Sequence, residues 1–111
     1  MSKKNSRDGG KFTGNHTTLI PAAIIACDIA NALPEVTKIT PGFIKSGLKP
    51  ANGKRRVKLT EKGGNCILLS VRDNKSHQEV FVYVTDLKAA RIALARDIEE
   101  AGLGVSFRKD I

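Results

Sequence analysis

Apolar and polar residues alternate from Arg56 to Thr60, with Val57 and Leu59 on one side and Arg56, Lys58 and Thr60 on the other. That is the period of a half-buried strand. The pattern predicts a second strand over Cys66 to Arg72, burying Ile67, Leu69 and Val71. Glu79 to Val84 is apolar on both faces, as a central strand is. Glu61 to Asn65 and Asp73 to Ser76 carry turn residues between these strands. Upstream, Val36 to Thr40 reads as a strand ended by Pro41-Gly42, the usual central pair of a type II turn. Lys45 to Lys54 reads as a loop dense in glycine, proline and lysine.

Helical spacing brackets these strands. Leu19 to Leu33 contains only Asp28 and Asn31 as strongly polar residues, so a helix there is buried on more than one side. Thr17 or Thr18 would cap it, Pro21 fits its first turn, and Pro34 stops it. Ala22, Ala26 and Ala30 form a small-residue stripe suited to close packing. A closing helix is capped by Thr85 or Asp86 and lines up Leu87, Ala90, Leu94, Ile98 and Ala101. Gly102 ends it, with Leu103 placed for a Schellman contact. Lys11 to His16 is a candidate leading strand and Val105 to Phe107 a candidate last edge strand. The expected fold is α+β: an antiparallel sheet of three to five strands with two helices on one face. Residues 1–11 read as a flexible basic arm and residues 12–111 as a single domain.

Charge changes this picture. The net charge is +8, and it is unevenly placed. Residues 1 to 58 hold eleven Lys and Arg against three carboxylates, whereas residues 59 to 111 hold eight of each. Lys38, Lys45, Lys49, Lys54, Arg55, Arg56 and Lys58 follow one another without an intervening acid. Ordinary surfaces mix signs, so such a stretch points to a polyanionic partner. Phosphate backbone is the expected target, and Gly47 and Gly53 allow close backbone approach. His16, Thr17 and Thr18, just ahead of the first helix, add a candidate anion contact at a helix start.

Other chemistry has little support in the sequence. Cys27, Cys66, His16 and His77 lack the close pairing of zinc ligands, and both cysteines read as reduced core residues of a cytoplasmic protein. No phosphate-binding Walker loop or nucleophile elbow is present. The longest apolar run, Leu19 to Cys27, is nine residues, too short to span a bilayer. The expectation is therefore no catalytic residue, metal, cofactor or membrane contact.

Three short motifs resemble a prokaryotic family of small domains of unknown function, labelled in part predicted metal-binding and in part suspected of binding nucleic acid. They are Asn15-His16-Thr17-Thr18 followed by Ile20-Pro21, Ile39-Thr40-Pro41-Gly42 followed by Ile44, and Gln78-Glu79-Val80-Phe81-Val82. The resemblance covers roughly residues 11 to 85. It implies that His16 and the Thr-Pro-Gly turn belong to a functional surface. The order helix, three strands, helix also resembles the double-stranded-RNA-binding domain, an architectural likeness only. The reading is a non-catalytic RNA-binding domain in a ribosome or translation context, with DNA as a second polyanion. Two other readings stand beside it: a small enzyme dependent on His16 or a metal, and a homo-oligomer formed through the 19–33 helix.

Overall fold

The computed structural model describes residues 18–50 and 55–109. Along the chain run α1 (Pro21–Ala32), β1 (Val36–Lys45), β2 (Arg55–Lys62), β3 (Cys66–Asp73), β4 (Ser76–Val84), α2 (Leu87–Glu100) and β5 (Gly104–Lys109). The strands form one five-stranded sheet in the order β1-β4-β3-β2-β5. β1, β4, β3 and β2 are antiparallel neighbours, and β5 lies parallel to β2. The fold is α+β, but the sheet is mixed where an antiparallel one was expected. The cause is α2. A helix between two strands returns the chain to its starting end, so β5 runs in the direction of β4, which is also the direction of β2.

Both helices cover the same face of the sheet. α1 packs over β1, β4 and β3, and α2 over β3, β2 and β5. Beneath them Ile39, Val57, Leu59, Ile67, Leu69, Val71, Val80 and Val82 are fully buried. Ala22, Ala26 and Ala30 have no exposed surface at all; their small side chains let α1 sit close against the sheet and α2. The anticipated stripe is thus consumed by the fold itself. The helix α2 follows its sequence signals closely. The Asp86 carboxylate accepts from Ala89 N–H at 3.0 Å. At the other end Gly102 (φ +95°) closes a Schellman motif, Leu103 N–H donating to Ile98 O and Gly102 N–H to Glu99 O.

Two local expectations are overturned. Thr18 does not cap α1: Ile20 is the N-cap residue and supplies no side-chain hydrogen bond, and Thr17 lies outside the described residues. The cap comes instead from across the fold, where Asp73 Oδ2, at the end of β3, accepts from Ala22 N–H at 2.9 Å. Pro41-Gly42 does not turn the chain. β1 runs through it to Lys45, with a register irregularity between Pro41 and Ile44, so the pair forms a bulge in an edge strand, where proline is tolerated. Gly42 suits the crowding there, since a Cβ would lie 3.2 Å from Glu79 O. The candidate leading strand at Lys11 to His16 lies outside the described residues, as does the basic arm.

One buried polar side chain ties these pieces together. Gln78 on β4 is completely inaccessible. Its carboxamide accepts from Ile20 N–H (3.1 Å) and donates to the carbonyls of Thr18 (2.9 Å) and Gly42 (2.8 Å). Gln78→Met keeps length and volume but strands three backbone groups, and should cost roughly 2–4 kcal/mol in denaturant unfolding. A change below about 0.5 kcal/mol would show that the three groups find other partners.

Candidate functional site

The face of the sheet opposite the helices is the natural place for a site, because no element of the described fold covers it. Strand alternation puts Arg56 and Lys58 of β2 on that face, together with Ser70 and Arg72 of β3, His77 and Glu79 of β4, and Lys45 of β1. The register then lines them up. Arg56 is opposite Arg72, Arg72 opposite His77, and His77 opposite Lys45. Four basic side chains therefore cross four strands in one row, with neighbouring strands about 4.8 Å apart. In the next row Lys58 is opposite Ser70 and Ser70 opposite Glu79. A concavity of about 430 Å³ opens here, lined by Arg56, Lys58, Ser70, Arg72, His77, Glu79 and Ser106.

Like charges directly opposite each other on a sheet are destabilising. Glu79 relieves part of the repulsion but cannot neutralise the row. Burial lowers the pKa of His77; Glu79 opposes this, and Lys45, Arg72 and Lys58 add smaller pushes in the same direction as burial. Arg72 is held in place as well as charged. Its guanidinium donates to Asn74 O at 3.0 Å and to the carbonyl of Lys49. Leu48 N–H donates to Lys75 O at 3.1 Å, so the start of the β1–β2 loop is fastened to the β3–β4 turn. Exposed Lys49 and Lys75 are thereby brought to the same end of the sheet as the row.

The seven cations of the basic segment do not share one surface. Lys45, Arg56 and Lys58 meet on the open face, with Lys49 on the adjoining loop. Arg55 points to the helix side and pairs with Asp73 at 3.4 Å. Lys38 lies at the far end of β1, its Nζ 4.7 Å from the centre of the Tyr83 ring. Lys54, His16 and Thr17 lie outside the described residues. Thr18 is described, and its carbonyl is taken by Gln78. The start of α1 is also chemically closed: Ile20 N–H is bound to Gln78, Ala22 N–H to Asp73, and Ala23 and Ile24 N–H to Ile20 O. No free N–H remains there among the described residues for an anion. Conversely, Arg72 and His77 were not among the residues expected from the sequence. The signal was available, because alternation around Val71 and the hairpin turns at Glu61–Asn65 and Asp73–Ser76 place both beside Arg56.

A second concavity, about 600 Å³, lies at the end of α2 and is lined by Arg55, Arg56, Glu99, Gly102, Leu103, Gly104 and Val105. The Glu99 carboxylate and the negative end of the α2 dipole make it a poorer anion site.

A family model described as "Predicted metal-binding protein (DUF2103)" matches residues 7–98. The chain belongs to that family. No curated protein and no solved structure matches it. The family's description raises a metal, which the described residues can be tested against. Among them no three His, Cys, Asp or Glu side chains gather to hold an ion. Cys27 is buried in α1, and burial, with Asp28 beside it, pushes its thiol up to about 12. Burial raises Cys66 too, and a metal takes the thiolate. His77 faces cations. The described part of this DUF2103 member therefore does not fit a metal centre. No described helix is long and apolar enough to cross a membrane.

The His77 environment has a pH consequence. Its folded pKa lies below the ordinary 6.5, so the unfolded chain binds the proton first. Stability should be complete above about pH 6.5 and decline as pH falls toward the folded pKa. His77→Gln should remove that part of the decline, read as the difference between the two proteins' unfolding free energies from about pH 7 to pH 5. Identical pH dependences would show that His77 is not held neutral by its surroundings.

Proposed function

We propose that this protein is a non-catalytic cytoplasmic RNA-binding domain that grips phosphate backbone with the open face of its sheet. The observation that supports the reading is the row Lys45–His77–Arg72–Arg56, flanked by Lys58. A fold gains nothing from setting these side chains opposite one another, and a polyanion laid across them removes the penalty. The arrangement is suited to backbone contact: lysines and arginines reach phosphates, and Ser70 and Ser106 add hydroxyls that can donate to the same oxygens. The open face of a five-stranded sheet, with strands about 4.8 Å apart, is wider than the major groove, which admits a helix or a two-stranded ribbon. Irregular or single-stranded RNA, whose backbone and bases are open, is the better match. Ribosomal RNA is one such partner.

Salt dependence tests this directly. Replacing Lys45, Arg56 and Lys58 together by Gln should lower the log–log salt slope of RNA binding by about 0.7–0.9 for each phosphate no longer neutralised. None of the three has a described ion pair, so folding should survive, as circular dichroism can check. DNA of the same sequence, titrated in parallel, reports whether the 2′-hydroxyl matters. An unchanged slope in the triple variant would remove this face from the interface.

A further inference from the structure

The rest of the open face is unexpectedly apolar. A sheet side without a covering layer is normally polar, yet behind the cationic row the central strands present Leu68, Phe81 and Tyr83. Phe81 is opposite Leu68 on one side and Thr40 on the other; Tyr83 is opposite Cys66 and Lys38. Both rings are half-buried, so part of each remains accessible on this face. They belong to the same face of β4, two residues apart, which separates them by about 6.6 Å along the strand. That leaves each ring room for a planar partner of its own. Tyr83 already has a cation at its ring, the Lys38 ammonium. This places a positive charge at the far end of the apolar strip, as the Arg56–Lys45 row does at the near end.

We propose that Phe81 and Tyr83 are a stacking platform for two bases of single-stranded RNA. This rests on the backbone-binding reading above and adds what the partner must contain: unpaired bases. The strand crosses the face from the cationic row toward Lys38, its phosphates held at both ends and its bases turned down onto the rings. Lys38 leaves the Tyr83 ring and takes up the neighbouring phosphate. Glu79, between the row and Phe81, supplies a carboxylate that can accept from a base amino group. Aromatic side chains on a sheet bind RNA bases in this manner because every base offers a π-face. Charge complementarity at both ends favours RNA over an apolar protein surface as the occupant.

The chain carries its own probe. Tyr83 is its single tyrosine and it has no tryptophan, so ultraviolet emission reports this one ring. The full chain is titrated with an oligouridylate of about ten nucleotides, within the span such domains cover. An abasic ribose-phosphate of the same length and a fully paired duplex serve as comparisons. Emission is corrected for absorbance, and binding is followed separately by anisotropy of labelled ligand. Oligouridylate should quench Tyr83, and the abasic chain should bind more weakly without quenching. Phe81→Leu, which keeps the site apolar, should weaken oligouridylate about tenfold and leave the abasic chain unaffected. Equal affinities for oligouridylate and abasic chain, with no quenching, would overturn the stacking platform while leaving backbone binding intact. Absence of binding to all three ligands would overturn both. A tyrosine signal that follows protein concentration and ignores RNA would make this face a contact between two copies of the chain, and would overturn the proposal.

Discussion

The carboxamide of Gln78 decides how the two ends of this fold meet. A buried amide must satisfy both its oxygen and its nitrogen, and Gln78 does so with three backbone groups from two distant segments. One segment leads into α1 and the other is the β1 bulge. Fixing them to β4 sets where α1 starts, and that start brings Ala22 N–H to Asp73. Asp73 in turn holds Arg55 on the helix side of the sheet. Adjacent residues Arg55 and Arg56 are thus sorted onto opposite faces, one into an ion pair and the other into the exposed row.

The two faces of the sheet obey different rules. Under the helices, small residues on α1 and branched aliphatics on the strands make a closely packed interior. On the other side, like charges sit opposite each other and aromatic rings face outward. The opposed charges do not help folding. Places where local choices conflict with stability are where a protein's binding surfaces are found. The open face carries cations and aromatic rings together, the combination on which the proposed RNA contact rests, on strands held from behind by the helices.

Much of this was legible from residue order alone. Periodicity located β2, β3 and β4, and the cap and stop signals of α2 were accurate because Asp86 and Gly102 act within their own helix. The signals that misled were those answered by distant partners. Thr17 and Thr18 look like caps, but Asp73 and Gln78, more than fifty residues away, already satisfy the start of α1. Pro41-Gly42 has turn chemistry, yet pairing with β4 carries the strand through it as a bulge. Of the basic segment, Lys45, Arg56 and Lys58 come together on the open face, with two basic residues from other strands beside them. Charge runs are read along the chain, whereas a sheet assembles its surface across strands. Arg72 and His77 join Arg56 and Lys45 through register, while Lys38 lies at the far end of the same face and alternation turns Arg55 to the helix side.

On the proposed reading, the cationic row is kept at the expense of stability because a polyanion uses it. The most direct measurement is the melting temperature of Arg56→Gln beside wild type at low salt, each with and without single-stranded RNA. The variant should melt higher than wild type when free, because its repulsion with Arg72 is gone. It should gain less on adding RNA, because one cation no longer meets a phosphate. A free variant that melts lower than wild type, with an undiminished gain from RNA, would contradict the account.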